Sequence, residues 1–286
     1  MRILIVGCGY LGREVARGWV KSHSVFALTR SPHHAEELQR LGIEPILGDV
    51  MNPAALTALP EVDLCLYAVG FDRTATHDKR SVYVDGLRNV LSTRRFRRLI
   101  HISSTSVYGQ DASETVNEDS PCEPTSEGGE ICLDAERVVR KFFPITQSPT
   151  NANVTFDAVI LRLSGIYGLG RLIGRLDQLR QGQPQRGNPE AWLNLIHVAD
   201  AAQVIQHIAE TPPPSPLYLV SDARPLRRRE FYAALAEQIG APAPSFPDAG
   251  DHSLNKRCDS SRVRRELGMT LIWPDAIAAL PSLLAN

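Results

Sequence analysis

The stretch RILIVGCGYLGREVARGWV, residues 2 to 20, most constrains what this chain can fold into. Ile3, Leu4, Ile5 and Val6 form an unbroken apolar run, as a strand buried on both faces of a parallel sheet requires. Leu11, Val15, Ala16, Trp19 and Val20 then recur at helical spacing. Between the two lies Gly7-Cys8-Gly9-Tyr10-Leu11-Gly12, a GxGxxG at a strand-to-helix turn. Glycines there allow a tight turn and let the backbone approach a pyrophosphate, whose charge the helix N-terminus stabilises. Gly7, Gly9, Tyr10, Leu11 and Gly12 are therefore expected to bind a dinucleotide, against the alternative of a plain glycine turn.

The alternation continues, with strands expected near 25 to 28, 43 to 47, 63 to 69, 98 to 103 and 157 to 163. Helices are expected near 34 to 41, 82 to 93 and 129 to 142. Strands and helices in strict alternation make the fold class α/β, a Rossmann-type doubly wound parallel sheet.

Composition narrows the partners. A formal net charge of −1 over 286 residues gives no pull toward nucleic acid or an anionic membrane. No stretch reaches the roughly 20 apolar residues of a membrane helix, and no secretory leader opens the chain, so a cytoplasmic protein is expected. Cys8, Cys65, Cys122, Cys132 and Cys258 show no CxxC pair, so neither a metal nor a disulfide framework is expected. Of the 31 basic residues only Lys21, Lys79, Lys141 and Lys256 are lysines.

After the second strand, an acidic residue would accept hydrogen bonds from the adenosine ribose of NAD. This chain has Leu28-Thr29-Arg30-Ser31 there. An arginine pairs with a 2′-phosphate, so Arg30 points to NADP, with NAD also admissible.

Several segments resemble the extended short-chain dehydrogenase/reductases, the NAD-dependent epimerase/dehydratase family. "GDV" at 48 to 50 is similar to the segment that meets the adenine, which implies roles for Asp49 and Val50. "YAVG" at 67 to 70 is similar to the strand end lining the ribose and pyrophosphate, implying Ala68, Val69 and Gly70. "HISSTSVYG" at 101 to 109 resembles the fifth strand, which makes Ser104 the match to the catalytic serine and sets Ser103 beside the cofactor. "LRLSGIYGLGR" at 161 to 171 resembles the nicotinamide-side segment, implying Leu163, and "NLIHVADAA" at 194 to 202 resembles the return to the core. The resemblance implies a Rossmann core over 1–165 and a small substrate-side subdomain over 166–286, with 194–221 returning to the core.

Three departures stand out. The family's glycine spacing, GxxGxxG, is one residue longer than here. Tyr83 stands where many members have asparagine, and the pattern PxSxYGxSKxxxE lays onto Pro124, Ser126, Gly129 and Glu136 with Gly128 at the tyrosine and Cys132 at the lysine. None of the seven tyrosines has a lysine four residues on. The closing stretch, 255 to 275, resembles that of an atypical subgroup lacking this pair. The phenol is the family's acid or base, and an unassisted phenol titrates near 10, so the usual chemistry needs another donor. The helix carrying Gly128 and Cys132 is expected to persist as a wall of the cofactor site, with no tyrosine or lysine of this chain in the vacated space. Its two adjacent glycines mark either a close approach or a frayed start.

Arg171, Arg175, Arg180 and Arg186 suit an anionic substrate, although solvated arginines at this spacing are common. The basic cluster at Arg257, Arg262, Arg264 and Arg265 reads as a solvated face. Two readings result: an NAD(P)-dependent oxidoreductase or epimerase/dehydratase-like enzyme using Ser104 on a small molecule, or a non-catalytic NADP(H)-binding redox sensor or regulatory protein. Either is expected as a monomer or homodimer.

Overall fold

The apolar run of residues 3 to 6 becomes an interior strand of a seven-stranded sheet. The computed structural model describes residues 1–71, 76–144, 156–171, 173–247 and 254–284. In chain order the elements begin β1 (Arg2–Val6), α1 (Tyr10–Trp19), β2 (Ser24–Thr29), α2 (Pro32–Arg40), β3 (Glu44–Leu47), the short α3 (Pro53–Leu56) and β4 (Val62–Tyr67). A π-helical turn, Ser81–Asp85, leads into α4 (Gly86–Ser92), followed by β5 (Phe96–Ser104), β6 (Thr115–Val116), α5 (Glu127–Phe142) and β7 (Ala158–Leu163). Then come β8 (Gly165–Tyr167), α6 (Ile173–Arg180), β9 (Trp192–Leu193), β10 (Leu195–His197), α7 (Val198–Glu210) and β11 (Leu217–Val220). The chain closes with β12 (Leu226–Arg227), α8 (Arg228–Gln238), β13 (Arg257–Cys258), α9 (Ser261–Leu267) and α10 (Ala276–Leu284).

The large sheet has the order β11-β7-β5-β4-β1-β2-β3. Its pairs β1–β2, β1–β4, β2–β3 and β4–β5 are all parallel. Chain order reverses between β1 and β4, the switch point at which doubly wound sheets bind ligands beyond their C-terminal strand ends. Leu4, Val6, Leu28, Cys65, Leu87, Ile131 and Val139 belong to one buried cluster between sheet and helices.

The chain divides into two compact units, Met1–Val107 with Pro124–Arg162 and Ala202–Tyr218, and Tyr108–Glu123 with Leu163–Ala201 and Leu219–Asn286. This division differs from the expected one at 108–123, which the resemblance placed in the first part. Two-residue β6 in this segment pairs with β13, Thr115 opposite Arg257 and Val116 opposite Cys258. The Lys256 ammonium also donates to the Tyr108 carbonyl at 2.7 Å. Of the expected return, 202–218 lies in the first unit, while 194–201 and 219–221 stay with the second.

In the first unit α5 is fastened by a buried ion pair. Glu136 is fully buried and accepts from Arg162 Nε at 2.9 Å and Nη2 at 2.7 Å, from Ser103 Oγ at 2.7 Å and from Arg140 at 2.9 Å. Burial pushes its carboxyl up, but Arg162, Ser103 and Arg140 outweigh burial and hold it below the ordinary value. This stabilisation is present above the ordinary carboxylate range and is lost as pH falls through the depressed value. Glu136→Ala should cost about 3–5 kcal/mol in urea unfolding at neutral pH, because it leaves Arg162 buried without its partner. A loss below about 1 kcal/mol would show that the pair is not holding α5.

The second unit has its own core, with Tyr167, Leu226, Phe231, Leu235 and Leu280 in one cluster. Asp200 accepts from the backbone N–H groups of Ile272 and Trp273 at 2.6 and 2.9 Å, pinning the closing segment. Asp222 is buried and faces the Tyr167 phenol, close enough for each to perturb the other, yet the pair misses full hydrogen-bond geometry. Burial pushes the Asp222 carboxyl up to about 8. A raised carboxyl favours folding below the unfolded value and loses that contribution as pH rises toward 8. Asp222→Asn should therefore flatten the decline in stability between about pH 5 and 8, with a gain of at least ~1 kcal/mol at the upper end. An unchanged profile by thermal unfolding would remove Asp222 as its source.

Candidate dinucleotide site

The turn after β1 is built around one left-handed residue. Gly7 has φ +95°, and a Cβ there would lie 2.5 Å from the Ala68 carbonyl group, so only glycine lets this turn close on the end of β4. Ala68 N–H donates to the Val6 carbonyl at 2.8 Å and seals that junction. Gly9 differs, because a Cβ built on it meets nothing within 4 Å. It is the N-cap of α1, where no side chain caps the helix and no acid lies in the first turn. A helix start with no side-chain cap, beside open space, fits a pyrophosphate. Leu11 and Gly12 are buried on the helix's inner side, and Tyr10 is half-buried. Burial pushes the Cys8 thiol up to about 11, which keeps it protonated and unreactive.

The neighbouring strand ends carry the remaining expected contacts. Arg30 follows β2 and is exposed, while Ser31 caps α2 by accepting from His34 N–H at 3.3 Å. Asp49 is half-buried after β3, with Oδ1 accepting from Met51 N–H at 2.9 Å. Asn89 of α4 holds the Val50 carbonyl at 2.9 Å, and the Val50 side chain is buried. Val69 is half-buried and Gly70 exposed at the end of β4. Leu163 closes β7 with a buried side chain and belongs to the second unit.

At the end of β5 the two serines part company. The Ser103 hydroxyl donates to Glu136, so it is committed to the core ion pair and only its backbone faces other duties. Ser104 Oγ accepts from Ser106 N–H at 3.1 Å, and its own proton has no acceptor among the described residues. That proton is available to a ligand oxygen.

The start of α5 is ordered, not frayed. Ser126 caps it by accepting from Gly129 N–H at 3.2 Å. A Cβ on Gly129 would lie 2.3 Å from the Ser106 carbonyl oxygen, so that glycine permits a close backbone approach. Gly128 reverses one expectation. A Cβ there would lie 2.8 Å from Lys79 Nζ, so a lysine of this chain does enter the space that was expected to hold none. Lys79 Nζ also sits 5.4 Å from the centroid of the Tyr83 ring, and Cys132 lies close enough for Lys79 to lower its thiol pKa. Burial is the larger effect and leaves that thiol above its ordinary value. Scanning each tyrosine for a lysine four residues later misses this pair, because here the lysine precedes the tyrosine by four. The scarcity of lysines was the available signal.

The arginines are mostly surface groups: Arg180 pairs with Asp177, Arg175 lies over the Tyr232 ring, and Arg262 pairs with Asp119 and Glu118. Among the described residues no cluster of three histidine, cysteine or acidic side chains could hold a metal ion. No described helix is long and apolar enough to cross a membrane.

A glycine turn at the switch point of a parallel sheet, leading into an uncapped helix, defines the Rossmann class. The chain belongs to the NAD dependent epimerase/dehydratase family, whose sequence profile matches residues 3–219. It is 28% identical to Protein YeeZ of Escherichia coli (strain K12), over 96% of this chain and 97% of that one. It is also 28% identical to the 2-alkyl-3-oxoalkanoate reductase of Stenotrophomonas maltophilia (strain K279a), over 85% of this chain and 77% of that one. A solved structure of a functionally unknown conserved protein from Silicibacter pomeroyi DSS superposes with a TM-score of 0.78 at 27% identity, covering 99% of this chain and 98% of that one.

Gly9→Val should abolish dinucleotide binding while leaving the fold intact, since its side chain enters open space and not packed protein. Calorimetry of the variant, with an unchanged melting temperature as control, checks this. Undiminished affinity would make the glycine run a turn and nothing more.

Proposed function

We propose that this chain is an NADP(H)-dependent oxidoreductase or epimerase/dehydratase-like enzyme acting on a small molecule, with Ser104 among its catalytic residues. The observation that carries the reading is the uncapped start of α1 beside Gly9, where a Cβ would meet nothing within 4 Å. The residues that would hold the dinucleotide are Gly7, Gly9, Tyr10, Leu11 and Gly12 at the pyrophosphate, Arg30, Asp49 and Val50 at the adenosine, and Ala68, Val69, Gly70 and the Ser103 backbone along its length. When bound, the nicotinamide accepts or supplies a hydride. The protein's part is to place an oxygen of the substrate beside Ser104, whose hydroxyl donates to it and favours negative charge there.

Preference for NADP(H) rests on Arg30, exposed after β2 with no acid in Leu28-Thr29-Arg30-Ser31. The reductase among the relatives makes 3-oxo acids the first substrates to try, and exposed Arg171 suits their carboxylate. None of the five cysteines is in a disulfide, which supports a reducing cytoplasmic setting for a monomer or homodimer.

Arg30→Asp should remove the preference for NADPH over NADH, because one charge-assisted contact of about 1.5–3 kcal/mol corresponds to at least about tenfold in affinity. Equal affinity of the unaltered protein for the two cofactors would end the NADP assignment. Turnover is tested by following NADPH absorbance against a library of 3-oxo acids and nucleotide sugars. Tight binding with no turnover across that library would favour the redox sensor.

A further inference from the structure

Lys79 and Tyr83 are four residues apart on the helical stretch that runs into α4, a spacing that brings two side chains onto one helix face. The intervening turn is π-helical, a form concentrated at functional sites. The Tyr83 ring lies 5.4 Å from Lys79 Nζ, within the range of a cation–π contact. The phenol oxygen lies near enough to the Phe71 backbone, just after β4, for it to offset part of the upward effect of burial. The ammonium also lies against Gly128, and Cys132, one turn further along α5, is close enough to Lys79 and to the Ser106 side chain for both to lower its thiol pKa. Among the described residues Lys79 has no hydrogen-bond or ion-pair partner, although it is half-buried. A half-buried ammonium with three donors and only a ring beneath it is suited to a ligand oxygen.

Position decides which ligand. Lys79, Tyr83, Phe71, Ser106 and Gly128 all belong to the same compact unit as the glycine turn. The ends of β1, β4 and β5 are successive, two strand spacings or about 10 Å in all, so a dinucleotide starting at Gly9 runs along them toward Ser104 and Lys79. We propose that the Lys79 ammonium, seated against Gly128 and held by the Tyr83 ring, binds an oxygen of the dinucleotide at the end remote from its adenosine. Lys79 is then a cofactor-binding residue and Tyr83 a positioning residue that acts through its ring. The pair runs lysine first and tyrosine second, on a different helix from the one that lost such side chains. This inference rests on the dinucleotide reading above.

Labelling with an acetylating reagent, read by mass spectrometry on the full chain, tests it. NADP⁺ should slow acetylation of Lys79 severalfold, while exposed Lys21 reacts at an unchanged rate. Calorimetry should show Lys79→Met weakening NADP⁺ about tenfold or more, the size of one charge-assisted hydrogen bond, with Lys79→Arg retaining most of the affinity. Tyr83→Phe, which keeps the ring, should bind within about twofold of the unaltered protein, and Tyr83→Leu should weaken binding. Unprotected Lys79 in a protein that calorimetry shows to be saturated with NADP⁺ overturns the proposal and spares the dinucleotide reading. Absence of binding to either NADP⁺ or NAD⁺ overturns both. A Tyr83→Phe variant as impaired as Lys79→Met would assign the contact to the phenol and overturn the division of roles.

Discussion

The buried carboxylate of Glu136 is the point through which α5, β5 and β7 are tied together. Its four hydrogen bonds come from Arg162 on β7, Ser103 on β5 and Arg140 one helical turn along. An ion pair removed from water gains little net stability, because desolvation offsets most of the attraction. What it does impose is position, since neither partner can move without leaving a charge unpaired. Fixing Glu136 fixes the helix that presents Gly128, Gly129 and Cys132, and fixing Ser103 sets the backbone of Ser104 beside it. The geometry at the end of β5 is thus determined from within the core.

The same arrangement explains which parts of the molecule were legible in the sequence. Parallel strands buried on both faces write themselves as apolar runs, so β1, β2, β4, β5 and β7 were readable within a few residues. The glycine turn was readable because Gly7 must be left-handed and touching Ala68, a requirement few other residues meet. The segment 108–123 was not readable, because β6 has two residues and its partner strand lies more than a hundred positions later. A pairing that short leaves no periodicity to detect. Ser103 was read as a cofactor contact from its neighbours, yet its hydroxyl is taken by a side chain that the sequence places 33 residues away.

Lys79 illustrates a different limit. Motif comparison fixes residue types at fixed positions, whereas chemistry fixes groups at positions in space. Two helices facing one another at the edge of a sheet can each supply a side chain to the same volume. A glycine on one makes room for a long residue on the other, because Gly128 carries no Cβ to exclude an ammonium. The glycine at 128 is therefore an opening, and only the three-dimensional arrangement tells which side chain enters.

The arrangement has a chemical consequence. A lysine reaching in from the α4 side brings its charge on a flexible stem, with a ring beneath it in place of a phenol beside it. Burial and Cys132 raise the Tyr83 phenol above its ordinary value, so it stays protonated and cannot serve as a base at neutral pH. The Cys132 thiol is likewise held protonated by burial. Among the described residues at this corner, the Lys79 ammonium and the Ser104 hydroxyl are donors, while burial keeps the Tyr83 phenol and the Cys132 thiol protonated. Donors of this kind favour negative charge on whatever oxygen is placed against them.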